Sequence, residues 1–173
     1  MTKAVFIDRD GTLGGGTEAL FPNDFSLYPN TKQALDLLKE NNIKIYAFTN
    51  QPDISIGLCK QAAFEDELYG FGFDDVCICP HTDEDNCQCR KPKTKMLEQI
   101  SIKYKLSLND CFVIGDRWSD MLAGINAGCK IILVKTGCGE DSITKYNDKW
   151  DITRVEKIAD DILDAVNFIL HTT

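Results

Sequence analysis

The stretch AVFIDRDGT, Ala4–Thr12, decides the fold that this sequence predicts. Four apolar residues are followed at once by two aspartates and a glycine, a pattern typical of a buried strand that ends at a polar edge. Similar short apolar runs recur along the chain, and helical patterns lie between them. Strands that alternate with helices predict a parallel sheet covered on both faces. The predicted strands are Ala4–Asp8, Ile43–Thr49, Val76–Cys79, Cys111–Gly115 and Lys130–Val134.

Apolar residues at helical spacing mark the segments between these strands and after the last one. Gly128 is the predicted C-cap of one helix, because glycine adopts the left-handed backbone without a steric penalty. The fold class is therefore α/β, a three-layer, doubly wound parallel sheet, and residues 1–173 are predicted to form one domain. The predicted helices are Thr31–Asn41, Lys60–Leu68, Thr94–Tyr104, Ser119–Ala127 and Val155–Leu170.

The charge of the chain excludes several classes of partner. It carries 27 acidic and 19 basic residues, and its net charge is −8. Nucleic-acid binders present a basic surface, so we expect neither nucleic acid nor an anionic membrane as a partner. No stretch approaches the ~18 apolar residues of a membrane-spanning helix, and the opening MTKAVFIDRD does not resemble a signal peptide. We expect a monomer in the cytoplasm.

Polar side chains follow successive predicted strands. In a parallel sheet, ligands bind beyond the carboxyl ends of the strands, so these residues are the candidates for chemistry. Each group alone is also explained by a solvated loop, a turn or a helix cap, but their ordered recurrence favours a functional site. Carboxylate oxygens at two strand ends suit Mg²⁺, which keeps several waters and takes few protein ligands. The groups are Asp8 with Asp10, Thr49 with Asn50, and Asp116 with Asp120.

A loop with three cysteines and a histidine, residues 79–89, predicts a second metal site. A Cys₃His set binds tetrahedral Zn²⁺ with all four positions closed by protein. The polar spacer TDEDN argues against three buried thiols, and the C-x-C spacing argues against a redox dithiol. Cys77 shares a strand face with the first ligand and stays open as a substitute for it. The predicted zinc ligands are Cys79, His81, Cys87 and Cys89.

Four segments together resemble the motifs of the haloacid dehalogenase-like hydrolase superfamily. They are the strand with DRDGT, then FTNQ, RKPK and GDRWSD, in that order. Within the superfamily, CPH followed by CxCRKP is similar to the branch of histidinol-phosphate phosphatases and D-glycero-D-manno-heptose bisphosphate phosphatases. The resemblance covers roughly Lys3 to Glu140. It implies a Mg²⁺-dependent phosphatase acting on a small phosphorylated metabolite.

The resemblance also implies a role for each carboxylate. Asp8 would be the nucleophile that forms an aspartyl-phosphate. Asp10 would protonate the leaving alkoxide and then activate the hydrolytic water. Asp8, the backbone carbonyl of Asp10, and Asp116 would hold Mg²⁺, and Asp120 would support the metal or orient Lys91.

The cationic and polar residues have implied roles as well. Thr49 and Lys91 would hold the phosphoryl oxygens, while Asn50 and Arg90 would face the substrate or the rest of the phosphate site. The zinc loop would brace the backbone that delivers Arg90 and Lys91.

The substrate is less clearly specified than the chemistry. The segments Thr12 to the first helix and Gln51–Val76 are too short for a separate cap domain, which predicts an open site. The five-residue spacer resembles the histidinol-phosphate enzymes, whereas LVKTGCGE, Leu133–Glu140, resembles the heptose enzymes. We expect a sugar phosphate or bisphosphate such as D-glycero-D-manno-heptose 1,7-bisphosphate, with histidinol phosphate as the alternative. A catalytically silent zinc-binding interaction module is the alternative from another class.

Overall fold

A computed structural model describes residues 2–172, so the predicted domain bounds at residues 1 and 173 lie outside the described residues. Six parallel strands form one sheet in the order β3-β2-β1-β4-β5-β6. Successive strands move outward in one direction from β1 and in the other from β4, so the order reverses between these two neighbours. The strands are β1 Ala4–Ile7, β2 Lys44–Asn50, β3 Asp75–Cys79, β4 Cys111–Gly115, β5 Lys130–Val134 and β6 Val155–Ala159.

Helices cover both faces of this sheet, which confirms the predicted three-layer α/β architecture. Leu35, Leu68 and Val166 pack against one face. Met96 and Met121 pack against the other. The helices are α1 Thr31–Glu40, α2 Gln61–Gly70, α3 Lys95–Tyr104, α4 Trp118–Ala127, α5 Gly139–Thr144 and α6 Ile162–Thr172.

The segments that follow β1 and β2 hold no additional sheet within residues 2–172. Residues 8–30 form loops and one short 3₁₀ turn, Pro22–Asp24, and α2 belongs to the layer that covers the sheet. For the part of the chain that the structure describes, the prediction of a fold without a separate cap domain is therefore confirmed. The predicted C-cap Gly128 also adopts the left-handed backbone, with φ +82°. In the described part of the chain, no helix combines the length and the apolarity that crossing a bilayer requires.

The prediction of one helix over Val155–Leu170 is wrong at its beginning. Val155–Ala159 is the edge strand β6, which pairs in parallel with β5, and α6 begins only at Ile162. Ile158 matches the helical spacing of the following apolar residues, which produced the error. The free edge of β5 offers backbone hydrogen bonds to the segment VEKIA, and this long-range pairing overrides a local pattern.

Two aspartates fix where α6 begins. The Asp161 carboxylate accepts a hydrogen bond from the Asp164 backbone N–H at 2.9 Å. The Asp164 carboxylate accepts one in return from the Asp160 backbone N–H at 3.0 Å. This reciprocal capping satisfies amide groups that have no partner inside the helix, so it separates strand from helix at this position.

Candidate active site

Three buried carboxylates meet at the carboxyl edge of the sheet, where the strand order reverses. Asp8 directly follows β1, Asp116 directly follows β4, and Asp120 lies in the first turn of α4. One oxygen from each of the three side chains lies within 4.8 Å of the others. Because β1 and β4 are hydrogen-bonded neighbours, their ends bring residues about a hundred positions apart into one site.

Lys91 lies between two of these carboxylates and is itself buried. Its Nζ donates to Asp8 Oδ1 at 2.6 Å and to the Phe48 carbonyl at 3.0 Å. Nζ also lies 2.6 Å from Asp120 Oδ1, so the ammonium forms an ion pair with each of the two carboxylates. Burial alone would lower the pKa of Lys91. The charges of Asp120 and Asp8 outweigh this effect, so the pKa of Lys91 is raised.

Asp116 is held by the loop after β5. Its Oδ2 accepts a hydrogen bond from the Cys138 backbone N–H at 2.7 Å, and its Oδ1 accepts one from the Thr12 hydroxyl at 3.3 Å. Gly11 and Gly137 flank the carboxylate at φ +83° and +56°, and a Cβ on either would lie 2.1 or 2.3 Å from Oδ2. The left-handed backbone and this close approach both require glycine. Burial, and then the charges of Asp8 and Asp120, raise the pKa of Asp116 well above its usual range.

Asp10 is surrounded by hydrogen-bond donors. Its Oδ1 accepts from Arg9 Nη1 at 2.6 Å and from the Leu20 backbone N–H at 3.1 Å. Its Oδ2 accepts from Gln51 Nε2 at 2.6 Å. The contacts of Arg9 with Asp10 and with Glu67 were not predicted from the sequence. The signal for Arg9 is a long cation between two acids at a buried strand end, but nothing in the sequence points to Glu67.

The predicted polar pair after β2 lies at the same edge. Thr49 is buried, and its hydroxyl accepts a hydrogen bond from Gln51 Nε2 at 3.0 Å. Asn50 Oδ1 accepts one from the Lys91 backbone N–H at 3.1 Å, so Asn50 fixes the backbone that carries this lysine. Both residues line a pocket of about 420 Å³ next to Asp8 and Asp10.

Arg90 lines the same pocket from the cysteine loop. Its Nε donates to Asp83 Oδ1 at 2.6 Å, and its Nη1 donates to the His81 carbonyl at 3.2 Å. The guanidinium is therefore oriented by two acceptors from the loop itself. Arg117, Trp118 and Tyr146 also line this pocket, and none of the three was predicted from the sequence.

The predicted Cys₃His group comes together in space. Cys79 Sγ lies 3.6 Å from Cys87 Sγ and 3.2 Å from Cys89 Sγ, and His81 Nδ1 lies 3.5 and 3.2 Å from Cys79 Sγ and Cys89 Sγ. A tetrahedral zinc with its usual bond lengths separates such ligand atoms by about 3.5–3.8 Å, so the geometry fits. Among the described residues, Cys77 does not join this group, so the alternative in which it replaces a ligand has no support in the geometry.

The thiols of this group differ in how readily they ionise. Burial raises the pKa of Cys79. Burial also opposes ionisation of Cys87, but hydrogen bonds from the backbone N–H groups of Arg90 and Cys89, and from neighbouring thiols, lower the pKa of Cys87 to about 7. Because thiolates are the form that binds metal, Cys87 is prepared for ligation near neutral pH.

The carboxylate group fits a divalent cation by its chemistry. Asp8, Asp116 and Asp120 bring three negative charges into a buried space, and Lys91 is the positive charge in contact with two of them. Uncompensated charges of one sign are costly to bury. Their hard oxygen donors are the ligands that Mg²⁺ prefers.

Comparison with known proteins agrees with this arrangement. A family model described as HAD-hydrolase-like matches residues 88–165. The chain is 34% identical over 139 residues to the D-glycero-beta-D-manno-heptose-1,7-bisphosphate 7-phosphatase of Helicobacter pylori, covering 74% of this chain and 80% of that protein. The chain belongs to the haloacid dehalogenase-like hydrolases. Like the phosphatases of that family, it is a phosphoric monoester hydrolase.

Two further relatives bear on the site. The crystal structure of D,D-heptose 1,7-bisphosphate phosphatase from B. bronchiseptica, complexed with magnesium and phosphate, superimposes with a TM-score of 0.87 at 26% identity and covers 99% of this chain and all of that one. The bifunctional histidine biosynthesis protein HisB of Campylobacter jejuni is 37% identical over 142 residues, which is 74% of this chain but 40% of that longer protein. The family assignment favours an enzyme over the silent interaction module.

Proposed function

We propose that this phosphatase removes a phosphoryl group from a phosphorylated sugar, with D-glycero-D-manno-heptose 1,7-bisphosphate as the foremost candidate. The observation that carries the proposal is the buried group of Asp8, Asp116 and Asp120 with Lys91, at the edge of an open pocket. The heptose bisphosphate is the substrate named for the Helicobacter relative and for the Bordetella structure. The whole chain would act as one domain.

In this proposal Asp8 attacks phosphorus, and the bond from phosphorus to the leaving oxygen breaks. Asp10 gives a proton to that oxygen and later removes one from the water that hydrolyses the aspartyl-phosphate. Lys91, which already contacts Asp8, and the Thr49 hydroxyl hold the phosphoryl oxygens. Asn50 keeps Lys91 in place through its backbone N–H.

Mg²⁺ would be held by Asp8, the Asp10 carbonyl and Asp116, with Asp120 in support, and when bound it would neutralise charge on the phosphoryl group. Asp120 fits this role because one of its buried oxygens lies within 4.8 Å of oxygens of both Asp8 and Asp116. Asp120 also keeps the Lys91 ammonium charged.

Zn²⁺ would be held by Cys79, His81, Cys87 and Cys89, and it would be structural. All four positions of a tetrahedral ion are taken by protein there, so nothing is left for a substrate. The loop orients Arg90 through Asp83 and the His81 carbonyl, which supports a role for Arg90 in holding an anionic part of the substrate. The thiols must stay reduced to bind metal, which is consistent with a cytoplasmic location.

A second candidate substrate is histidinol phosphate. The HisB relative and the five-residue spacer between His81 and Cys87 favour it. A sugar phosphate ranks first because the heptose phosphatase matches cover more of the relative's length. We propose a monomer that binds neither nucleic acid nor membranes, in keeping with its net charge of −8.

The test is a comparison of kcat/KM across sugar monophosphates, sugar bisphosphates and histidinol phosphate, with Mg²⁺ supplied. We expect a phosphorylated sugar to have the highest value, and activity to be lost when Mg²⁺ is chelated. A tenfold or greater preference for histidinol phosphate over every sugar would reverse the ranking. Absence of phosphate release from all substrates, including an aryl phosphate, would leave only the interaction module.

A further inference from the structure

A fully buried arginine lies between the two aspartates that follow β1. Arg9 is 0% exposed. Its Nε and Nη2 donate to the two carboxylate oxygens of Glu67 at 2.6 and 3.0 Å. The guanidinium also lies over the Phe25 ring, 3.8 Å from its centre. A charge buried this completely is retained only with a well-placed partner, and here Glu67 on α2 supplies it.

The third guanidinium nitrogen of Arg9, Nη1, is directed at Asp10. Nη1 donates to Asp10 Oδ1 at 2.6 Å and to the Leu20 carbonyl at 2.7 Å. The Leu20 N–H donates to the same Oδ1 at 3.1 Å. Arg9 therefore holds both the Asp10 carboxylate and the backbone of Leu20, which itself contacts that carboxylate. Because Glu67 balances the charge of Arg9, the guanidinium keeps a partner whether or not Asp10 carries a proton.

The two oxygens of Asp10 are used unequally. A carboxylate oxygen has about two acceptor positions. Both positions on Oδ1 are taken, by Arg9 and by the Leu20 N–H. Oδ2 accepts a single hydrogen bond, from Gln51, so one of its positions remains free. A proton that Asp10 carries therefore belongs on Oδ2.

We propose that Arg9, held by Glu67, is the positioning residue of the general acid–base step. It saturates Oδ1 of Asp10 and thereby selects Oδ2 as the oxygen that gives and takes the proton. This rests on the proposed function, in which the P–O bond to the leaving group breaks while Asp10 transfers its proton to that oxygen. Arg9 and Glu67 themselves do not touch the substrate.

The dependence of kcat/KM on the leaving group distinguishes a positioning role of Arg9 from a purely structural one. An alkyl phosphate needs its departing oxygen protonated, whereas dinitrophenolate is stable without a proton. The value of kcat/KM covers the steps up to the first departure, so the ratio of kcat/KM for an alkyl phosphate to that for dinitrophenyl phosphate measures acid catalysis. We expect Glu67→Gln to lower this ratio by about 10- to 100-fold, since misplacing a catalytic group by about 1 Å costs that much.

A second variant separates positioning from folding. Glu67→Gln removes one of the two carboxylates that pair with the buried Arg9, and the variant is expected to lose stability. The double variant Arg9→Met with Glu67→Leu removes both charges and keeps an apolar volume, a replacement that is often neutral for stability. We expect this double variant to fold, as measured by thermal unfolding, and to show the same lowered ratio as Glu67→Gln.

Asp75→Asn is the matched control. Asp75 is a buried carboxylate at the other end of the sheet, paired with Lys103 at 2.7 Å and bonded to the Tyr69 hydroxyl on α2 at 2.9 Å. Its loss therefore disturbs the helix that carries Glu67 without removing a contact to Arg9 or Asp10. Its ratio should equal that of the wild type. The positioning role is overturned if the folded double variant keeps a wild-type ratio while Asp10→Asn lowers it. If Asp10→Asn itself leaves the ratio unchanged, the acid role in the proposed function fails, and the positioning role fails with it.

Discussion

Lys91 places its ammonium between Asp8 and Asp120, and the balance of charge around it explains the titration of the site. One cation compensates only part of three buried carboxylate charges. Burial, followed by the charge of Asp8, raises the pKa of Asp120 to about 6 even though Lys91 opposes the shift. The same two causes, with Asp120 as a further neighbour, raise the pKa of Asp116. A divalent cation would relieve this repulsion.

The effect of Mg²⁺ on stability should therefore depend on pH. A carboxylic acid whose pKa rises on folding stabilises the folded state while it is protonated, and this contribution is lost as the pH rises through the folded pKa, about 6 for Asp120. Mg²⁺ competes with these protons. We expect Mg²⁺ to raise the Tm more at about pH 8 than at about pH 5, measured by thermal unfolding. Asp116→Asn should lose most of this rise, and an equal rise at both pH values would contradict the account.

Sequence reasoning identified the residues of the site that directly follow strands. Asp8, Asp116 and Thr49 sit at or just beyond strand ends, and a parallel sheet brings such ends together whatever the details of packing. Glu67 could not be found this way. Glu67 lies on α2, and the apolar pattern of a helix does not indicate which distant residue each polar side chain will contact. Its partner Arg9 is 58 residues away in the sequence.

At the scale of elements, the loop between β3 and α3 carries two cations that line the pocket, Arg90 and Lys91. Its segment TDEDN is polar and offers little apolar surface to bury, so it cannot be held by a core of its own. Cys89 directly precedes Arg90 and Lys91 in the chain, and Cys87 Sγ accepts a hydrogen bond from the Arg90 N–H at 3.3 Å. Metal ligation at this loop would therefore fix the backbone of both cations.

Cys87→Ser tests this coupling. We expect less than one zinc per chain by metal analysis, whereas the wild type should contain zinc without any being added. The kcat/KM should fall by up to about 10²-fold, because a shift of about 1 Å at Lys91 would misplace the phosphoryl contacts proposed for it. Mg²⁺ should still raise the Tm. Cys77→Ser, which changes a thiol on β3 outside the Cys₃His group, should keep both zinc and activity. Full activity in Cys87→Ser would disprove the bracing role.

The beginning of α6 gives a prediction on stability alone. Asp161→Ala removes the side chain that accepts a hydrogen bond from the Asp164 N–H. Loss of such a cap costs about 1 kcal/mol of unfolding free energy. Denaturant unfolding should detect this loss while kcat/KM stays at the wild-type value, since α6 lies outside the pocket. An unchanged unfolding free energy would show that the cap does not fix the boundary.

At the scale of the whole molecule, the residues of the proposed site come from both halves of the sheet. The half that begins with β1 supplies Asp8, Asp10 and Thr49, and the half that begins with β4 supplies Asp116 and Asp120. The parallel, doubly wound sheet was predicted from the sequence because strands alternate with helices, but the strand order was not. Nor was the sixth strand, because its assignment depends on pairing with β5, which a local pattern does not encode.

The most direct test of the central claim is to look for a phosphoryl group on Asp8 during turnover. Wild-type protein would be mixed with Mg²⁺ and its best substrate, quenched in acid within one turnover, and digested for mass spectrometry. We expect the peptide that contains Asp8 to gain the mass of one phosphoryl group. Asp8→Asn should fold like the wild type, show no such peptide and release no phosphate. Turnover by Asp8→Asn at more than a few per cent of the wild-type rate, or wild-type turnover without a labelled peptide, would contradict the covalent mechanism.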